Sequence, residues 1–296
     1  MKTALDNTGY EPFKGYDQLE AVINRDTKAV WCDMNPAPRP CFNTTLLREL
    51  RSFQHEVEMS VRNGLEDIDF VVWRSGIPGV WNLGGDLNLF RQLIENRDRE
   101  TLSRYAKACI DVVHPNYVSF GLPDLTTICV LEGNALGGGF EAAMSGNVLI
   151  AEEGVQMGLP EILFNLFPGM GAYSMLSRKI GPALAERIIL SGDTYEAERL
   201  YELGVVDVLA KKGEGVRAAH DYIKKQQKSR NGTLAIRRAA QRVHPPIEYR
   251  EMMDVVDIWV DAALQLTEKD LRVMNILVNR QEKLMARTSA AVQKAS

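Results

Sequence analysis

The amino-acid sequence predicts an α/β fold that is followed by a C-terminal helical region. Short β-rich runs alternate with stretches of helical periodicity through the first two thirds of the 296 residues. Helical periodicity then dominates from Gly171 onward, interrupted by the strand-like Val205–Leu209. Such alternation is typical of helices packed on a sheet. We therefore expect three parts: a flexible N-terminal arm (1–15), an α/β core (16–210) and a C-terminal helical region (211–296).

The elements of the core follow from local patterns. Apolar residues recur at spacings of three and four from Leu46 to Val61, which predicts an amphipathic helix over Thr44–Asn63, capped by Asn43 or Thr44. The other predicted strands are Leu19–Asn24, Ala29–Met34, Asp69–Arg74, Leu125–Leu131, Val148–Ala151 and Val155–Met157. The other predicted helices are Leu87–Ile94 and Arg99–Val113.

The last 50 or so residues have a purely helical pattern. One apolar stripe at helical spacing comprises Met252, Val255, Val256, Trp259 and Ala263. Thr267 is a predicted cap for a second helix, with Asp270 in the capping-box position three residues later. That second helix carries Leu271, Met274, Leu277, Val278 and Met285.

Composition excludes several classes of protein. The net charge of −4 gives no sign of nucleic-acid binding. The four cysteines form no CxxC pair, which argues against a zinc ribbon or a disulfide scaffold and suits a reducing cytoplasm. The four histidines lack metal-ligand spacing, so we expect neither a metal site nor a cofactor. No signal peptide and no membrane span are expected, and the predicted location is cytoplasmic.

Two glycine-rich loops stand out, at residues 82–87 (Asn-Leu-Gly-Gly-Asp-Leu) and 136–141 (Leu-Gly-Gly-Gly-Phe-Glu). Each lies where a predicted strand gives way to a helix, so backbone N–H groups there can approach a ligand closely. Two converging N–H groups would form an oxyanion hole. The alternative is that both loops are merely tight turns, with Asp86 a simple helix cap. Neither loop is a Walker A or a full GxGxxG dinucleotide motif.

Two glutamates lie in apolar surroundings, Glu141 directly after the second loop and Glu161 twenty residues later. Burying a carboxylate without a partner is unfavourable, and paired carboxylates in such settings often serve as an acid and a base. Each glutamate also has a structural explanation. Glu141 could be stabilised by a helix N-terminus, and Glu161 could be a turn residue after Pro160.

Five ordered motifs resemble those of the enoyl-CoA hydratase/isomerase (crotonase) superfamily. They are residues 136–141, 158–161 (Gly-Leu-Pro-Glu), 167–171 (Phe-Pro-Gly-Met-Gly), 190–194 (Leu-Ser-Gly-Asp-Thr) and 203–207 (Leu-Gly-Val-Val-Asp). The resemblance covers roughly residues 20–210 and implies a crotonase-type spiral of ββα units, assembled as a homotrimer or hexamer. It also implies that the amides of Gly85 and Gly138 hold the thioester oxygen and that Glu141 and Glu161 are the catalytic acid and base.

Within the superfamily the sequence is most similar to bacterial diffusible signal factor synthases. The Pro-rich segment 35–40, the loop 81–86 and the helical tail with Trp259 carry this likeness. It implies dehydration of a medium-chain 3-hydroxyacyl thioester and hydrolysis to a free cis-2-unsaturated fatty acid, a quorum-sensing signal. It also implies a cognate signal-sensor protein as a partner. Met170, Trp259 and Leu277 are candidate acyl-pocket residues, although a stripe of this kind is more often core or interface.

One charge pattern bears on the thioester carrier. Residues 211–244 contain ten Lys or Arg side chains and two acidic ones, Glu214 and Asp221. Such a basic region could attract an acidic acyl carrier protein, could contact CoA phosphates, or could be an ordinary solvated face. Two rival functions remain open: a conventional enoyl-CoA hydratase/isomerase of fatty acid metabolism, and a non-catalytic interaction protein. The chain has no GxSxG motif, so a serine-hydrolase mechanism has no support.

Overall fold

The computed structural model describes residues 10–13 and 15–279. Within them, one sheet has seven strands in the order β1-β2-β3-β4-β6-β8-β11, and a second has four in the order β10-β9-β7-β5. The strands are β1 Tyr10–Pro12, β2 Leu19–Asn24, β3 Ala29–Met34, β4 Phe70–Ser75, β5 Val80–Asn82, β6 Thr126–Leu131, β7 Asn134–Leu136, β8 Val148–Glu152, β9 Gln156–Gly158, β10 Thr194–Glu196 and β11 Val208–Ala210. The helices are α1 Thr44–Arg62, α2 Leu87–Glu95, α3 Arg99–Tyr117, α4 Gly138–Met144, α5 Ala172–Ile180, α6 Pro182–Ser191, α7 Ala197–Glu202, α8 Gly215–Lys228, α9 Arg230–Val243 and α10 Tyr249–Ala263.

Successive turns of the chain each add one strand to each sheet. β4, β6 and β8 are parallel neighbours in the larger sheet, and β5, β7 and β9 are parallel neighbours in the smaller one. Helices follow the pairs β4–β5, β6–β7 and β8–β9, as parallel neighbours require a crossover. The chain therefore winds as repeated ββα units. This winding places the ends of β5 and β7, each followed by a helix, side by side.

The larger sheet is covered on both faces. Because side chains alternate along a strand, Cys129 and Leu131 of β6 point into the larger core beneath α1, α3 and α4. Ile128 and Val130 point the other way and pack with Ile223 of α8. Burial on both faces explains why β6 has no alternation of apolar and polar residues.

The helical tail packs back onto the core. α10 lies along α3 and buries Trp259 and Val260. The next helix covers 268–279 of the described residues and begins with the predicted capping box. There the Thr267 N–H donates to Asp270 Oδ2 at 2.8 Å, and the Asp270 N–H donates to Thr267 Oγ1 at 3.4 Å. Met285, assigned to the same helix from the sequence, lies outside the described residues.

The α/β class with a C-terminal helical region is confirmed, and three details differ from the sequence prediction. α3 continues beyond Val113 to Tyr117, passing through Pro115. The strand that ends at Leu131 does not lead directly into the second glycine-rich loop, because β7 intervenes. β1 and β10 were not predicted at all. The three unpredicted strands, β1, β7 and β10, have three residues each, too few for a periodicity to show.

The division of the chain stays a prediction. Residues 10–12 of the proposed arm pair antiparallel with β2, while 1–9 and 14 lie outside the described residues, as do 280–296 of the helical region. Of the helices in 10–13 and 15–279, none is both long and apolar enough to cross a membrane.

Candidate active site

The first glycine-rich loop is shaped by its own side chains. At the end of β5, the Gly84 N–H donates to Asn82 Oδ1 at 2.8 Å. Gly84 has φ +92°, a backbone conformation that favours glycine. Asp86 Oδ1 accepts from the Asn88 N–H at 3.1 Å, so the helix-cap interpretation of Asp86 is confirmed. Gly85 is thus held between a side-chain turn and the start of α2.

The second loop lies directly against the first. Gly137, with φ +54°, donates its N–H to Gly158 O at 2.8 Å, and α4 begins at Gly138. A Cβ atom on Gly84 would lie 2.8 Å from the Gly138 nitrogen, and one on Gly138 would lie 3.5 Å from the Gly85 nitrogen. The two amides named by the sequence are therefore neighbours, and the backbone contact at Gly84 leaves no room for a side chain there.

Glu141 is buried and held by backbone donors. Its side chain projects from α4 and is 1% exposed. Oε1 accepts from the Met170 N–H at 2.7 Å and from the Ala172 N–H at 2.9 Å. Burial raises the pKa of Glu141 to about 7, while the two N–H groups act in the opposite direction by stabilising the carboxylate. Glu141 can therefore change its charge near neutral pH.

Glu161 lies on the short 3₁₀ turn Pro160–Phe164. Its Oε2 is buried and has no hydrogen-bond partner within the described part of the chain. Its Oε1 lies against the second loop, since a Cβ on Gly137 would be 2.5 Å away. Burial, and then the nearby charge of Glu141, raise the pKa of Glu161 to about 8. Glu161 is thus the glutamate of the pair that favours the neutral acid.

Both carboxyl groups open onto one cavity of about 460 Å³, a size typical of small-molecule sites. Most of its lining is apolar, with Leu83, Phe164 and Leu166 among the side chains. Glu141, Glu161 and Asp193 are the acidic residues in the lining, and none of the described lining residues is Lys or Arg. The cavity therefore suits a neutral reacting group attached to an apolar chain.

The structure gathers the site residues predicted from the sequence around this cavity. Met170 lies close to the second loop, since a Cβ on Gly138 would be 2.4 Å from its Sδ. The Trp259 ring packs in the same way over Gly169. All seven predicted residues line the cavity: Gly85, Gly138, Glu141, Glu161, Met170, Trp259 and Leu277. Their positions agree with the predicted roles, which themselves stay predictions.

Phe90, Tyr105 and Cys109 are among the cavity residues that sequence reasoning did not assign to the site. Each lies on an amphipathic helix, α2 or α3, where an apolar residue at helical spacing usually indicates only core packing. Burial raises the pKa of the Cys109 thiol, which keeps it protonated and unreactive. The position of Tyr105 beside the first loop is not visible in its local sequence, because the two segments meet only in the fold.

Two adjacent loop amides beside two buried carboxyl groups define a site that can stabilise an oxyanion while protons are transferred. This is the kind of site used by enzymes that act next to a carbonyl group. Residues 42–292 match the enoyl-CoA hydratase/isomerase family. The chain belongs to this family.

Curated relatives agree with the family. The chain is 29% identical over 201 residues to an Arabidopsis thaliana protein named "Probable enoyl-CoA hydratase 2, mitochondrial", a match that covers 65% of this chain and 63% of that protein. It is 30% identical over 179 residues to "Probable enoyl-CoA hydratase" of Bacillus subtilis (strain 168), covering 60% of this chain and 63% of the relative. The chain thus spans about 63% of the length of both relatives.

The fold agrees as well. The structure of an enoyl-CoA hydratase from Bacillus halodurans superposes with a TM-score of 0.73 at 16% identity, covering 88% of this chain and 99% of that one. Likeness at such low identity concerns the fold alone. The crotonase-type architecture implied by the sequence motifs is confirmed.

Proposed function

We propose that this protein hydrates 2-enoyl thioesters to 3-hydroxyacyl thioesters and catalyses the reverse dehydration. One observation carries the proposal. Two buried carboxyl groups with different surroundings face the same cavity beside the paired loop amides: Glu141 has two N–H donors, and Glu161 Oε2 has no partner among the described residues. An acid and a base next to an oxyanion hole are what addition of water across a conjugated thioester requires.

The mechanism follows from the positions of these groups. The thioester carbonyl oxygen accepts from the N–H groups of Gly85 and Gly138, which stabilise the negative charge of the enolate. Water attacks C3, its oxygen forms the new C–O bond, and its proton passes to Glu141. The electrons of the double bond move to the carbonyl and return as C2 takes the proton of Glu161. Dehydration is the same sequence in reverse.

The two roles follow from the surroundings of the carboxyl groups. The carboxylate form of Glu141 is stabilised by the Met170 and Ala172 N–H groups, so Glu141 accepts the proton from water. Within residues 10–13 and 15–279, Glu161 has no such donor at Oε2, and it lies near the charge of Glu141, so it starts as the acid. The pair therefore holds one proton between them near neutral pH, as two coupled carboxyl groups commonly do.

A CoA thioester is the proposed substrate class. The lining carries acidic side chains and no cation among its described residues, so a neutral thioester fits better than a free fatty acid anion. Both curated relatives described above are named as enoyl-CoA hydratases. The apolar lining supplies the environment for the acyl chain.

The proposal is tested with crotonyl-CoA in water labelled with ¹⁸O and, separately, in deuterium oxide. Hydration predicts ¹⁸O at C3 and one deuterium at C2 of the product, with the thioester intact. A free-thiol assay on the same samples measures hydrolysis. Failure to form any 3-hydroxyacyl-CoA with crotonyl-CoA or longer enoyl-CoA substrates would overturn the proposal.

A second candidate is the signal-synthase reaction, in which a medium-chain 3-hydroxyacyl thioester is dehydrated and then hydrolysed to a free cis-2-unsaturated acid. The apolar lining of the cavity, which includes Trp259 and Leu277, favours it, because such a lining can accommodate a medium-length acyl chain. The discriminating measurement is mass spectrometry of the products from a medium-chain 3-hydroxyacyl thioester. A free 2-enoic acid, reduced in a Trp259→Ala variant, supports the second candidate, and an intact enoyl thioester supports the first.

The partners of the second candidate are likewise proposals. An acyl carrier protein would meet the basic segment 211–244, but four of its ten cations already bind within the chain. Arg217, Arg230 and Arg238 pair with Glu214, Asp69 and Asp124, and Arg237 donates to Leu125 O. α8 also covers the sheet face opposite the cavity. Light scattering tests the proposed homotrimer or hexamer, and a pull-down tests the proposed sensor protein.

A further inference from the structure

The Tyr105 hydroxyl lies between Phe42 and the first glycine-rich loop. Tyr105 projects from α3 and is 4% exposed. Its hydroxyl donates to Phe42 O and accepts from the Asp86 N–H, the latter at 3.0 Å. A phenol can make both bonds at once because it has one donor and free lone pairs. Burial raises the pKa of Tyr105 and so keeps the donor proton in place.

These bonds surround the peptide unit that carries the Gly85 N–H. The Gly84 carbonyl, in the same planar unit, accepts from the Phe42 N–H at 2.7 Å. In a trans peptide the C=O and N–H point in opposite directions. The bond to Phe42 therefore directs the Gly85 N–H away from Phe42. Tyr105 holds Phe42 by its carbonyl and holds the loop again at Asp86, one residue beyond Gly85.

The turn made by Asn82 Oδ1 and the hydrogen bond from the Leu83 N–H to Pro40 O also restrain this part of the loop, but neither acts on the Gly85 N–H itself. Gly84 and Gly85 have no side chains to anchor them, and glycine backbone is the most permissive of all. The Phe90 ring packs against Gly85, where a Cβ would lie 2.6 Å from Phe90 Cζ. Phe90 in turn packs edge-on against the Tyr105 ring, with centroids 5.1 Å apart. Tyr105 therefore supports the loop through its hydroxyl directly and through its ring by way of Phe90.

We propose that Tyr105 is a positioning residue that sets the direction of the Gly85 N–H in the oxyanion hole. The inference rests on the proposed function, because it assigns the Gly85 amide to the thioester oxygen. Oxyanion stabilisation depends on a donor aimed at the position that the charge will occupy. Loss of the hydroxyl leaves the ring in the cavity wall, so substrate binding is retained while the donor loses its fixed direction.

The test compares Tyr105→Phe with Tyr249→Phe in the full chain. Tyr249 is a matched control because its hydroxyl also makes a hydrogen bond, to Asp111 Oδ1 at 2.7 Å, away from the cavity. With crotonyl-CoA, Tyr105→Phe lowers kcat by roughly tenfold to a hundredfold, with KM changed less than about threefold, since a misplaced donor weakens the transition state more than binding. Tyr249→Phe leaves both constants unchanged.

A spectroscopic measurement separates positioning from a merely structural role. Butyryl-CoA with a ¹³C-labelled carbonyl binds without reacting, and its carbonyl stretch moves to lower frequency when the oxyanion donors polarise it. Tyr105→Phe reduces this shift, and Tyr249→Phe keeps it. A chain with 3-fluorotyrosine at position 105 retains the hydroxyl, so we expect it to have the wild-type kcat and the wild-type carbonyl shift. This variant keeps the proposal testable even if Tyr105→Phe folds poorly.

Each outcome decides one question. Full kcat and an unchanged carbonyl shift in Tyr105→Phe overturn the positioning role, as does failure of 3-fluorotyrosine to restore them. If the wild-type chain hydrates no enoyl-CoA but still polarises the butyryl-CoA carbonyl in a Tyr105-dependent way, the proposed function fails and the positioning role stands. If the wild-type chain does not polarise the carbonyl, the oxyanion hole itself is wrong and both fail.

Discussion

The two faces of the larger sheet each hold a cluster of acidic groups, buried on the cavity face and partly exposed on the α8 face, and the clusters differ in whether a cation accompanies them. On the cavity face, Glu141 and Glu161 lie together, and the described cavity lining contains no Lys or Arg. On the α8 face, Arg74 lies between two carboxylates. Its guanidinium is 3.0 Å from Glu132 Oε2 and 3.5 Å from Asp33 Oδ1.

The α8-face cluster also uses the backbone. Glu152, the last residue of β8, accepts from the Gly215 N–H at 2.8 Å, where α8 begins. These side chains come from the carboxyl ends of adjacent parallel strands, which lie at one edge of the sheet. Buried charge there is balanced by a counter-charge or by a helix terminus. The cluster therefore fastens α8 to the sheet.

Acidic residues therefore have two different uses in this fold. A carboxylate paired with a fixed cation holds elements of the fold together. In the described part of the chain, the cavity pair has only backbone donors on Glu141 and none on Glu161 Oε2, and burial raises both pKa values toward neutrality. Groups that titrate near working pH are the ones suited to general acid–base catalysis.

The largest expected effect is on catalysis. Glu141→Gln and Glu161→Gln keep the size of the side chain but remove the base or the acid, so each lowers kcat for crotonyl-CoA hydration by roughly 10²- to 10⁴-fold. Glu132→Gln, in the α8-face cluster, is the control and leaves kcat unchanged. Steady-state absorbance assays measure all three. Equal losses of kcat in all three variants would show that the contrast between the clusters has no catalytic meaning.

The second effect is on the pH dependence of stability. Both cavity glutamates have folded-state pKa values raised above the unfolded value, to about 7 and about 8. Their contribution to stability is therefore complete at low pH, and it falls as pH rises through the folded-state values. For Glu141 alone the loss is on the order of 3 kcal/mol between about pH 5 and pH 8.

Urea unfolding at several pH values measures this loss. We expect wild type and Glu161→Gln to approach each other at low pH and the variant to be the more stable one at high pH. The Glu132→Gln variant should follow the wild-type slope, because the cavity pair is intact in it. A Glu161→Gln chain that loses stability with pH as steeply as wild type would contradict the raised pKa of Glu161.

Features that depend on neighbouring residues in the sequence could be predicted. α1 with its Asn43 cap follows from periodicity and a short side chain before it, and Asn43 Oδ1 indeed accepts from the Leu46 N–H at 2.9 Å. Both glycine-rich loops and both glutamates are visible as short motifs. The sequence could therefore name the reacting groups, together with the strands and helices that carry most of them.

Contacts between distant segments were not predictable in the same way. Arg74 and Glu132 are 58 positions apart, and in the sequence each looks like an ordinary polar residue at a strand end. The N–H donors to Glu141 come from residues 170 and 172, where a backbone group leaves no mark in the sequence. Tyr105 meets the first loop only because α3 packs beside it. Contacts between residues that are distant in the sequence determine which acidic side chains have a counter-charge and which do not.

The third prediction concerns the α8-face cluster itself. Arg74→Met removes the guanidinium that lies beside Glu132 and Asp33, which destabilises the fold by about 2 kcal/mol, less than for a fully buried pair because the two carboxylates are 28% and 25% exposed. Denaturant unfolding measures this change, and kcat per folded molecule stays at the wild-type value. Adding Glu132→Gln to Arg74→Met should recover part of the loss. A variant of full stability but reduced kcat would place the cluster in the catalytic machinery.

The smallest effect is expected on the outer surface of α8, beyond both clusters. Lys224 and Lys225 are exposed, so Lys224→Glu/Lys225→Glu changes the unfolding free energy by less than about 0.5 kcal/mol and leaves kcat/KM for crotonyl-CoA unchanged. The neutral Lys224→Gln/Lys225→Gln variant is the matched control. An acyl carrier protein thioester sharpens the comparison, because docking of an acidic carrier on this face would make kcat/KM fall with charge reversal and with added salt. Since α8 covers the face opposite the cavity, we expect charge reversal to leave kcat/KM unchanged for both the carrier-linked and the CoA-linked substrate. A fall in kcat/KM confined to the carrier-linked substrate would support the signal-synthase candidate.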